Sequence, residues 1–373
     1  MKIGFDVSQT CVEKGGCGYY ADSLVRAMVG LAPQNEYVLY HHFGEWVNAD
    51  TSEGTHIAAS CVSAPQRHLS AREAAFLWQG VGEGEALGDD PEIVHACNFQ
   101  APAIPKAKLV YTVYDMSYWV CPEFTTEANR LVCQNGLLAA LERAHGFVFI
   151  SENSHAEFER VLAGWLGERG KPWCVTPLAA RHARPASRPA GKPAYWLSVG
   201  SLEPRKNHRA LLDALDIYWS RSADPKPLWV AGGRGWKSEG IHERLAVLER
   251  EGKAVYLGYV PDERLQVVYA DAAALVFPSW HEGFGLPVIE AMRHGCAVIS
   301  SDRASLPEVG GDAALYIDPE SPEQIAQAML RLEQEPGLLS QRREMGRVQA
   351  ERFTWGRTAR LTLDFYRRVL AGS

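Results

Sequence analysis

One stretch of the chain decides its fold: His281-Glu282-Gly283-Phe284-Gly285-Leu286-Pro287-Val288-Ile289-Glu290-Ala291-Met292. The apolar run over residues 272–278 just before it predicts a buried strand, and Gly295 after it is suited to closing a helix. Pro287 fits the first turn of that helix, because the N–H group it lacks would have no partner there. The stretch therefore predicts a strand, a loop and a helix in succession.

The loop and the helix start have the properties of an anion site. Free N–H groups over residues 285–288 would face a ligand at a helix N-terminus, and the glycines allow a phosphate to approach the backbone closely. Glu282 and Glu290 would repel a phosphate, but their carboxylates suit neutral donors such as sugar hydroxyls. A nucleotide sugar offers hydroxyls on both sides of a diphosphate, so it is the ligand this stretch predicts.

The spacing of the two glutamates resembles the glutamate-x7-glutamate signature of the retaining GT-B glycosyltransferases of family 4, also called glycosyl transferases group 1. Two isolated glutamates would usually be a surface residue and a helix residue, but here all twelve positions match, including Pro287 and Met292. The resemblance implies an α/β GT-B fold with two Rossmann-like domains facing across a cleft. It implies that Glu290 holds the ribose hydroxyls and Glu282 contacts the donor sugar, beside the donor-binding residues Gly283, Phe284, Gly285 and Leu286.

Composition sets the class and the compartment. A chain of 373 residues favours two domains. The net charge of -7 argues against nucleic acid as the main partner. Eight cysteines without a Cys-x-x-Cys pair indicate reduced thiols in a cytosol rather than a zinc site. No signal peptide and no apolar run of ~18 residues is present, so we expect a cytoplasmic protein with at most peripheral contact at the inner face of a membrane.

Alternating apolar runs and helical stretches predict α/β domains with parallel sheets. We expect an N-terminal acceptor domain over residues 1–190, a donor domain over 191–354, and, from the resemblance, a last helix over 355–373 that completes the first domain. Strands are predicted at 2–7, 37–41, 93–95, 108–114, 146–150, 195–199, 228–231, 254–257, 273–277, 297–300 and 314–316. Helices are predicted at 18–30, 71–81, 126–143, 155–162, 208–217, 240–251, 261–270, 287–294, 322–334 and 337–353.

A second motif, Val199-Gly200-Ser201-Leu202-Glu203-Pro204-Arg205-Lys206-Asn207, follows a predicted strand. Arg205 offers a bidentate fork and Lys206 a compact charge, and together they suit a diphosphate. A solvated basic turn is the plainer interpretation, but cations at a helix start are unfavourable without an anion. The family pattern implies that Arg205 and Lys206 stabilise the charge of the departing diphosphate, with Gly200 and Ser201 beside the donor.

A third motif is Gly15-Gly16-Cys17-Gly18-Tyr19-Tyr20, after the first strand. It is not the dinucleotide fingerprint, because no acidic residue ends a strand ~20 positions further on. The resemblance implies that Gly16 and Gly18 bring backbone amides to the donor phosphate; a plain tight turn is an equally open interpretation.

The fourth motif is Tyr111-Thr112-Val113-Tyr114-Asp115-Met116. It departs from the family, which usually has His-Asp at the positions of Tyr114 and Asp115. The Tyr114 phenol can donate to a sugar hydroxyl but cannot carry a proton near neutral pH as an imidazole can. A catalytic and a structural role for Tyr114 both stay open, and Asp115 orients either the loop or the acceptor. Asn98 is a candidate acceptor contact, and Tyr259 and Val260 resemble part of the family's base pocket; a structural role is as open for each.

The chain contains no Asp-x-Asp, the usual handle for a metal-bound diphosphate. We therefore expect no metal and no other cofactor, with Arg205, Lys206 and helix dipoles supplying the positive charge. The resemblance implies retention of configuration, for which we favour same-face attack. The expected reaction moves a hexose, foremost mannose from GDP-mannose, to a glycan or lipid-linked acceptor in surface polysaccharide synthesis.

Three alternatives stay open. The donor could be UDP-glucose or another nucleotide sugar. A nicotinamide-dependent oxidoreductase is disfavoured by the missing acidic residue after the glycine turn. A non-catalytic nucleotide-sugar binding module is disfavoured by the intact glutamate pair, although Tyr114 speaks for it.

Overall fold

The computed structural model describes residues 1–11, 14–181 and 194–372. It divides into two compact units. The first unit comprises Met1–Pro122, Glu127–Leu178 and the chain from Trp355 onward, and the second comprises Glu123–Thr126 and Ala179–Thr354. The domain boundary that we predicted near residue 190 lies outside the described residues.

The first unit is built on a parallel sheet of seven strands in the order β3-β2-β1-β4-β5-β6-β7. Five of them were predicted from the sequence; β3 and β7 were not, because they are too short to give a hydrophobic pattern. The strands are β1 (Lys2–Asp6), β2 (Glu36–Tyr40), β3 (Val62–Ser63), β4 (Ile93–Ala96), β5 (Lys108–Val113), β6 (Gly146–Phe149) and β7 (Trp173–Val175).

The second unit is built on a parallel sheet of six strands in the order β10-β9-β8-β11-β12-β13. All six were predicted. They are β8 (Trp196–Val199), β9 (Leu228–Ala231), β10 (Ala254–Gly258), β11 (Ala274–Phe277), β12 (Ala297–Ser301) and β13 (Leu315–Ile317). β11 and β12 are buried at every position, as expected for parallel strands covered on both faces.

Helices connect the strands in both units. The first unit contains α1 (Gly16–Leu31), α2 (Ala71–Gly82), α3 (Ser117–Val120), α4 (Glu127–Arg143), α5 (Glu152–Val161) and α6 (Trp165–Arg169). The second contains α7 (His208–Arg221), α8 (Glu239–Arg250), α9 (Asp262–Asp271), α10 (Leu286–Arg293), α11 (Leu306–Gly310), α12 (Pro322–Gln334) and α13 (Leu338–Glu351). α5 begins three residues earlier than predicted, because Ser151 caps it by accepting a hydrogen bond from the Ser154 N–H.

Each unit has its own hydrophobic core. In the first, α2 and α4 bury Trp78 and Leu137 against strand residues such as Tyr111 and Phe147. In the second, α7 and α12 bury Leu211, Leu215, Ile325 and Met329 against Val230 and Val276. Separate cores position the two sets of strand ends independently of each other.

The last helix, α14 (Trp355–Ala371), packs on α1 of the first unit. Gly146 at the start of β6 allows its close approach, because a Cβ atom there would lie 2.7 Å from the Phe365 ring. The Tyr366 hydroxyl lies 2.5 Å from His95 Nδ1, and His95 Nε2 lies 2.6 Å from Thr112 Oγ1. Burial lowers the pKa of His95 to about 3, so the imidazole is a neutral link between β4, β5 and α14.

None of the helices in the described parts of the chain is both long enough and apolar enough to cross a membrane.

Candidate functional site

The carboxyl ends of β8 and β11 bring three predicted site residues together. Lys206 Nζ lies 2.6 Å from Glu282 Oε1, and Arg205 Nη1 lies 2.9 Å from Glu282 Oε2. Arg205 Nη1 also donates to the His281 carbonyl at 2.7 Å. The glutamate carboxylate is therefore held by both cations of the second motif, across 76 residues of sequence.

Glu282 is ionised in this environment. Burial favours its neutral form, but the charges of Arg205 and Lys206 outweigh burial and lower its pKa to about 2. Glu203, which is 6% exposed, binds the other side of the guanidinium, with its Oε1 2.7 Å from Arg205 Nη2. The site thus contains two cations and two carboxylates, and its charges balance without a bound anion.

The backbone around the cations explains their placement. Pro204–Lys206 form a 3-10 turn that ends at Asn207 in the left-handed region, with a φ of 56°. The Asn207 amide donates to the carbonyls of Pro278 at 3.1 Å and Pro319 at 2.8 Å. Those two bonds fasten the turn to the loops that follow β11 and β13.

Glycine is required where the loops after β8 and β9 meet. A Cβ atom on Gly232 would lie 2.0 Å from the Gly200 carbonyl oxygen. Gly200 itself has a φ of 142° and faces the aliphatic part of Lys206. Ser201 beside it is exposed to solvent.

The glycine loop before α10 leads into the helix as predicted. Gly285 caps α10 in the left-handed region with a φ of 101°, and a Cβ atom there would lie 2.7 Å from Leu306 Cδ2. Phe284 is 3% exposed and packs its ring against Phe353. Since Phe284 faces the interior, the backbone of Gly283–Leu286 is what the loop can present to a ligand.

Glu290 lies in α10, is 2% exposed, and has its own cation. Arg181 binds it with two nitrogens: Nε to Oε1, and Nη2 to Oε2 at 2.7 Å. The Tyr269 hydroxyl donates to Oε2 at 3.0 Å, and Arg181 Nη1 reaches Asp262 Oδ1 at 2.9 Å. Burial alone would lower the pKa of Arg181, but the Glu290 carboxylate outweighs burial and raises it above its usual value, so the guanidinium is charged and held in one orientation.

The predicted base-pocket residues differ in exposure. Tyr259 is 54% exposed and Val260 is 6% exposed. They follow Gly258, whose carbonyl accepts a hydrogen bond from the Gly232 N–H at 2.8 Å. The loops after β9 and β10 are thereby joined, and the ring of Tyr259 is left accessible to a planar partner.

In the first unit, the side chains of Tyr114 and Asp115 bind groups of neighbouring loops of the same unit, mainly backbone. The Tyr114 hydroxyl donates to the Cys97 carbonyl at 2.7 Å, and burial raises the pKa of its phenol. Asp115 Oδ1 accepts from the Ser117 N–H at 2.9 Å and the Ser117 hydroxyl at 2.7 Å. These contacts support the loop-orienting alternative for Asp115 and the structural alternative for Tyr114.

Two further candidates of the first unit also have packing partners. Gly18 lies against the 3-10 turn of Ser8–Thr10, and a Cβ atom there would be 2.5 Å from the Gln9 carbonyl oxygen. Gly16 has open space around it. Asn98 is buried and donates to the Ser8 hydroxyl. The need for glycine at position 18 is therefore already explained by helix packing.

Three residues of the site escaped sequence analysis: Glu203, Arg181 and Tyr269. Glu203 lies inside the second motif, where an acid two positions before Arg205 was the available signal. Arg181 lies in a stretch without hydrophobic period, and its contact with Glu290 spans 109 residues, so no local pattern announces it. Within the described residues, no group of three or more His, Cys, Asp or Glu side chains is arranged to hold a metal ion.

Comparisons with known proteins bear on the whole chain. The sequence model of a family described as glycosyl transferases group 1 matches residues 180–351. The chain is 33% identical over 383 residues to O-antigen chain mannosyltransferase B of Escherichia coli, covering 98% of this chain and 100% of that protein.

Two solved structures have the same fold. Sucrose-phosphate synthase from Thermosynechococcus elongatus gives a TM-score of 0.74 at 19% identity and covers 100% of both chains. Anabaena HepE in complex with UDP-glucose gives a TM-score of 0.70 at 16% identity and covers 98% of this chain and 99% of that one.

Proposed function

This chain belongs to the glycosyl transferases group 1 family, and from that membership we propose that it transfers mannose from GDP-mannose to the glycan of a surface polysaccharide. The predicted GT-B fold is confirmed by the structural likenesses, and the predicted glycosyltransferase class by the family match. Retention of configuration stays a prediction. The choice of mannose is supported by the 33% identity to an O-antigen chain mannosyltransferase along the whole chain.

The observation that carries the proposed mechanism is the contact of Arg205 and Lys206 with Glu282. Both cations are more than four-fifths buried, with side-chain exposures of 19% and 11%. Buried, preorganised cations stabilise developing charge far better than solvated ones. The diphosphate oxygens would replace the Glu282 carboxylate as their partner, while Glu203 keeps the Arg205 guanidinium in place.

Glu282 and Glu290 are proposed to hold the two polyol parts of the donor. When the diphosphate takes over the cations, the Glu282 side chain is released to hydrogen-bond with the donor sugar. Glu290 accepts hydrogen bonds from the ribose hydroxyls. The exposed Tyr259 ring stacks on the base, whereas the Val260 side chain stays in the core. The backbone amides of residues 283–286 approach the phosphates, and the corresponding role of Gly16 and Gly18 stays a prediction.

Same-face displacement is the step that fits these side chains. The bond from the anomeric carbon to the diphosphate oxygen breaks, and the acceptor oxygen bonds to that carbon on the same face. The acceptor proton passes to the departing phosphate oxygen. Glu282 is the candidate nucleophile at this site, but the family pattern assigns it to holding hydroxyls of the donor sugar.

The reaction can be tested with purified protein, methyl α-mannoside and a set of nucleotide sugars. We expect consumption of GDP-mannose and an α-linked product by NMR, and thermal stabilisation by GDP-mannose above that by UDP-glucose. A β-linked product would refute retention. Preference for UDP-glucose would replace the donor, and binding without transfer to any acceptor would favour the non-catalytic module.

We also propose a cytoplasmic location at the inner face of the membrane. All eight cysteines are free, which is typical of a reducing compartment. Cell fractionation of a tagged protein tests this: recovery from the periplasm would contradict it.

A further inference from the structure

The first unit contains a pocket that none of the predicted site residues line. It has a volume of about 560 Å³ and opens between α2, α4 and the loops that follow β2 and β4. Small residues line much of it: Gly44, Ala75, Gly82, Ala101, Gly136 and Ala139. Its volume is in the range of ~300–1,000 Å³ that is typical of small-molecule sites.

The walls select against a charged ligand. One anion and one cation, Glu45 and Arg143, lie at the pocket, so their charges cancel. Arg143 is anchored by donating to the Ala101 carbonyl at 3.0 Å. A phosphate or nucleotide would need an excess of cations, which the lining lacks.

The walls also select against a purely apolar ligand. Three amide side chains, Gln79, Gln100 and Asn135, offer both donors and acceptors. Val47 and Val132 supply apolar surface between them. A pyranose has apolar C–H faces and a rim of hydroxyls, so an uncharged carbohydrate matches this mixture.

From this lining, we propose that the pocket between α2 and α4 binds an uncharged oligosaccharide, a segment of the acceptor chain remote from the reacting end. The proposal rests on the proposed function, since it assumes a glycan acceptor. The pocket lies outside residues 180–351, the part that matches the family. A site there can determine which acceptor this chain accepts without changing the donor machinery.

The glycine at position 82 permits a direct test. It lies at the end of α2, and a Cβ atom there would have no neighbour within 4 Å, so Gly82→Trp fills the pocket without a backbone clash. Gly240 is a matched control, because it also lies exposed in a helix with nothing within 4 Å. Asn135→Ala, which removes one exposed amide, is a second variant that leaves the core untouched.

Two measurements on the full-length protein decide the proposal. Saturation-transfer NMR with α-mannotetraose should show binding to the wild type and to Gly240→Trp, and a loss with Gly82→Trp. In transfer assays, Gly82→Trp should raise the KM for α-mannotetraose at least about tenfold relative to the KM for methyl α-mannoside. Asn135→Ala should raise it about threefold, the effect of one hydrogen bond.

The outcomes separate this proposal from the proposed function. Transfer to methyl α-mannoside with unchanged oligosaccharide KM in both variants would overturn the pocket assignment alone. Absence of any transfer would overturn the proposed function, and NMR would still decide on the pocket. Phe76 and Leu138, 78% and 53% exposed on α2 and α4, make a lipid the rival ligand. If Gly82→Trp lost binding to anionic phospholipid vesicles but still bound the oligosaccharide, the pocket would be a lipid site and the proposal would be refuted.

Discussion

The strand ends of the two units differ in what their polar side chains bind. After β8 and β11, ionised side chains bind one another: Arg205 and Lys206 hold Glu282. After β1 and β5, polar side chains bind backbone: Asp6 accepts from the Ser8 N–H at 3.0 Å, and Tyr114 donates to the Cys97 carbonyl. Burial even raises the pKa of Asp6 to about 6, whereas the pKa of Glu282 is about 2.

This difference separates two uses of the same topology. A side chain that satisfies a backbone group is needed to shape the loop, and releasing it would leave a buried polar group without a partner. A cation paired with a carboxylate can exchange that partner for a phosphate, whose oxygens accept charge-assisted hydrogen bonds of the same kind. The polar side chains at these strand ends of the second unit therefore suit an anionic ligand, whereas those of the first unit shape their own loops.

The largest effect should follow removal of a cation. We expect Lys206→Ala and Arg205→Ala to lower turnover about 10²- to 10³-fold with a smaller rise in KM, because the charge they meet grows in the transition state. Arg221→Ala is the control, since its ion pair with Glu323 is exposed. Steady-state kinetics measure both constants; near-normal turnover in either variant would break the comparison.

Breaking the second buried pair should cost stability. Glu290→Gln leaves the Arg181 guanidinium facing a neutral amide, and we expect the free energy of unfolding to fall by about 3 kcal/mol. Glu335→Gln removes an exposed pair with Arg331, which solvent screens, and should change stability far less. Urea unfolding followed by circular dichroism compares them. Similar small losses for both would mean that Glu290 is not an electrostatic anchor.

Two buried histidines sharpen the contrast between the units. Among the described residues, both nitrogens of His208 lack hydrogen-bond partners, whereas both nitrogens of His95 have them. Burial, and then the charge of Lys206, lowers the pKa of His208 to about 3. In the unfolded chain the His208 imidazole takes up a proton below about pH 6.5, whereas in the folded protein it stays neutral. The folded state is therefore not penalised by His208 protonation above that pH, and it loses stability as the pH falls from about 6.5 towards 3.

His208→Leu removes this proton uptake. We expect its stability to fall less steeply between pH 6 and pH 4 than that of the wild type, by about 1.4 kcal/mol per pH unit. Stability at pH 8 should be nearly unchanged or higher, because an unsatisfied polar group is replaced by an apolar one. Urea unfolding at several pH values measures the slope, and equal slopes would contradict the assignment.

The smallest effect is expected at Tyr114. Tyr114→Phe removes one hydrogen bond to the Cys97 carbonyl, and the stability should fall by about 1 kcal/mol with turnover within about tenfold of the wild type. Tyr20→Phe, which removes a longer contact to Thr112 at 3.3 Å, is the matched control. A loss of turnover as large as that of Lys206→Ala would restore a catalytic role for the phenol.

Features that depend on residues close together in the sequence were predictable, and features that depend on residues far apart were not. The second sheet was predicted strand by strand, because each strand is a short apolar run with clear ends. β3 and β7, with two and three residues, are strands only because a neighbour pairs with them. The motif around Glu282 was found as a string, but the partner of Glu290 was not, since Arg181 is brought there by folding alone.

By itself, the sequence determined the strand-loop-helix segments, the family, and the residue types that we propose for binding a diphosphate, because these depend on neighbours a few positions apart. The tertiary structure decided which charges pair: Arg205 and Lys206 with Glu282, Arg181 with Glu290, and Tyr114 with a carbonyl. Those choices join residues 17 to 109 positions apart, and only the packing of strands and helices brings such distant groups within hydrogen-bonding distance.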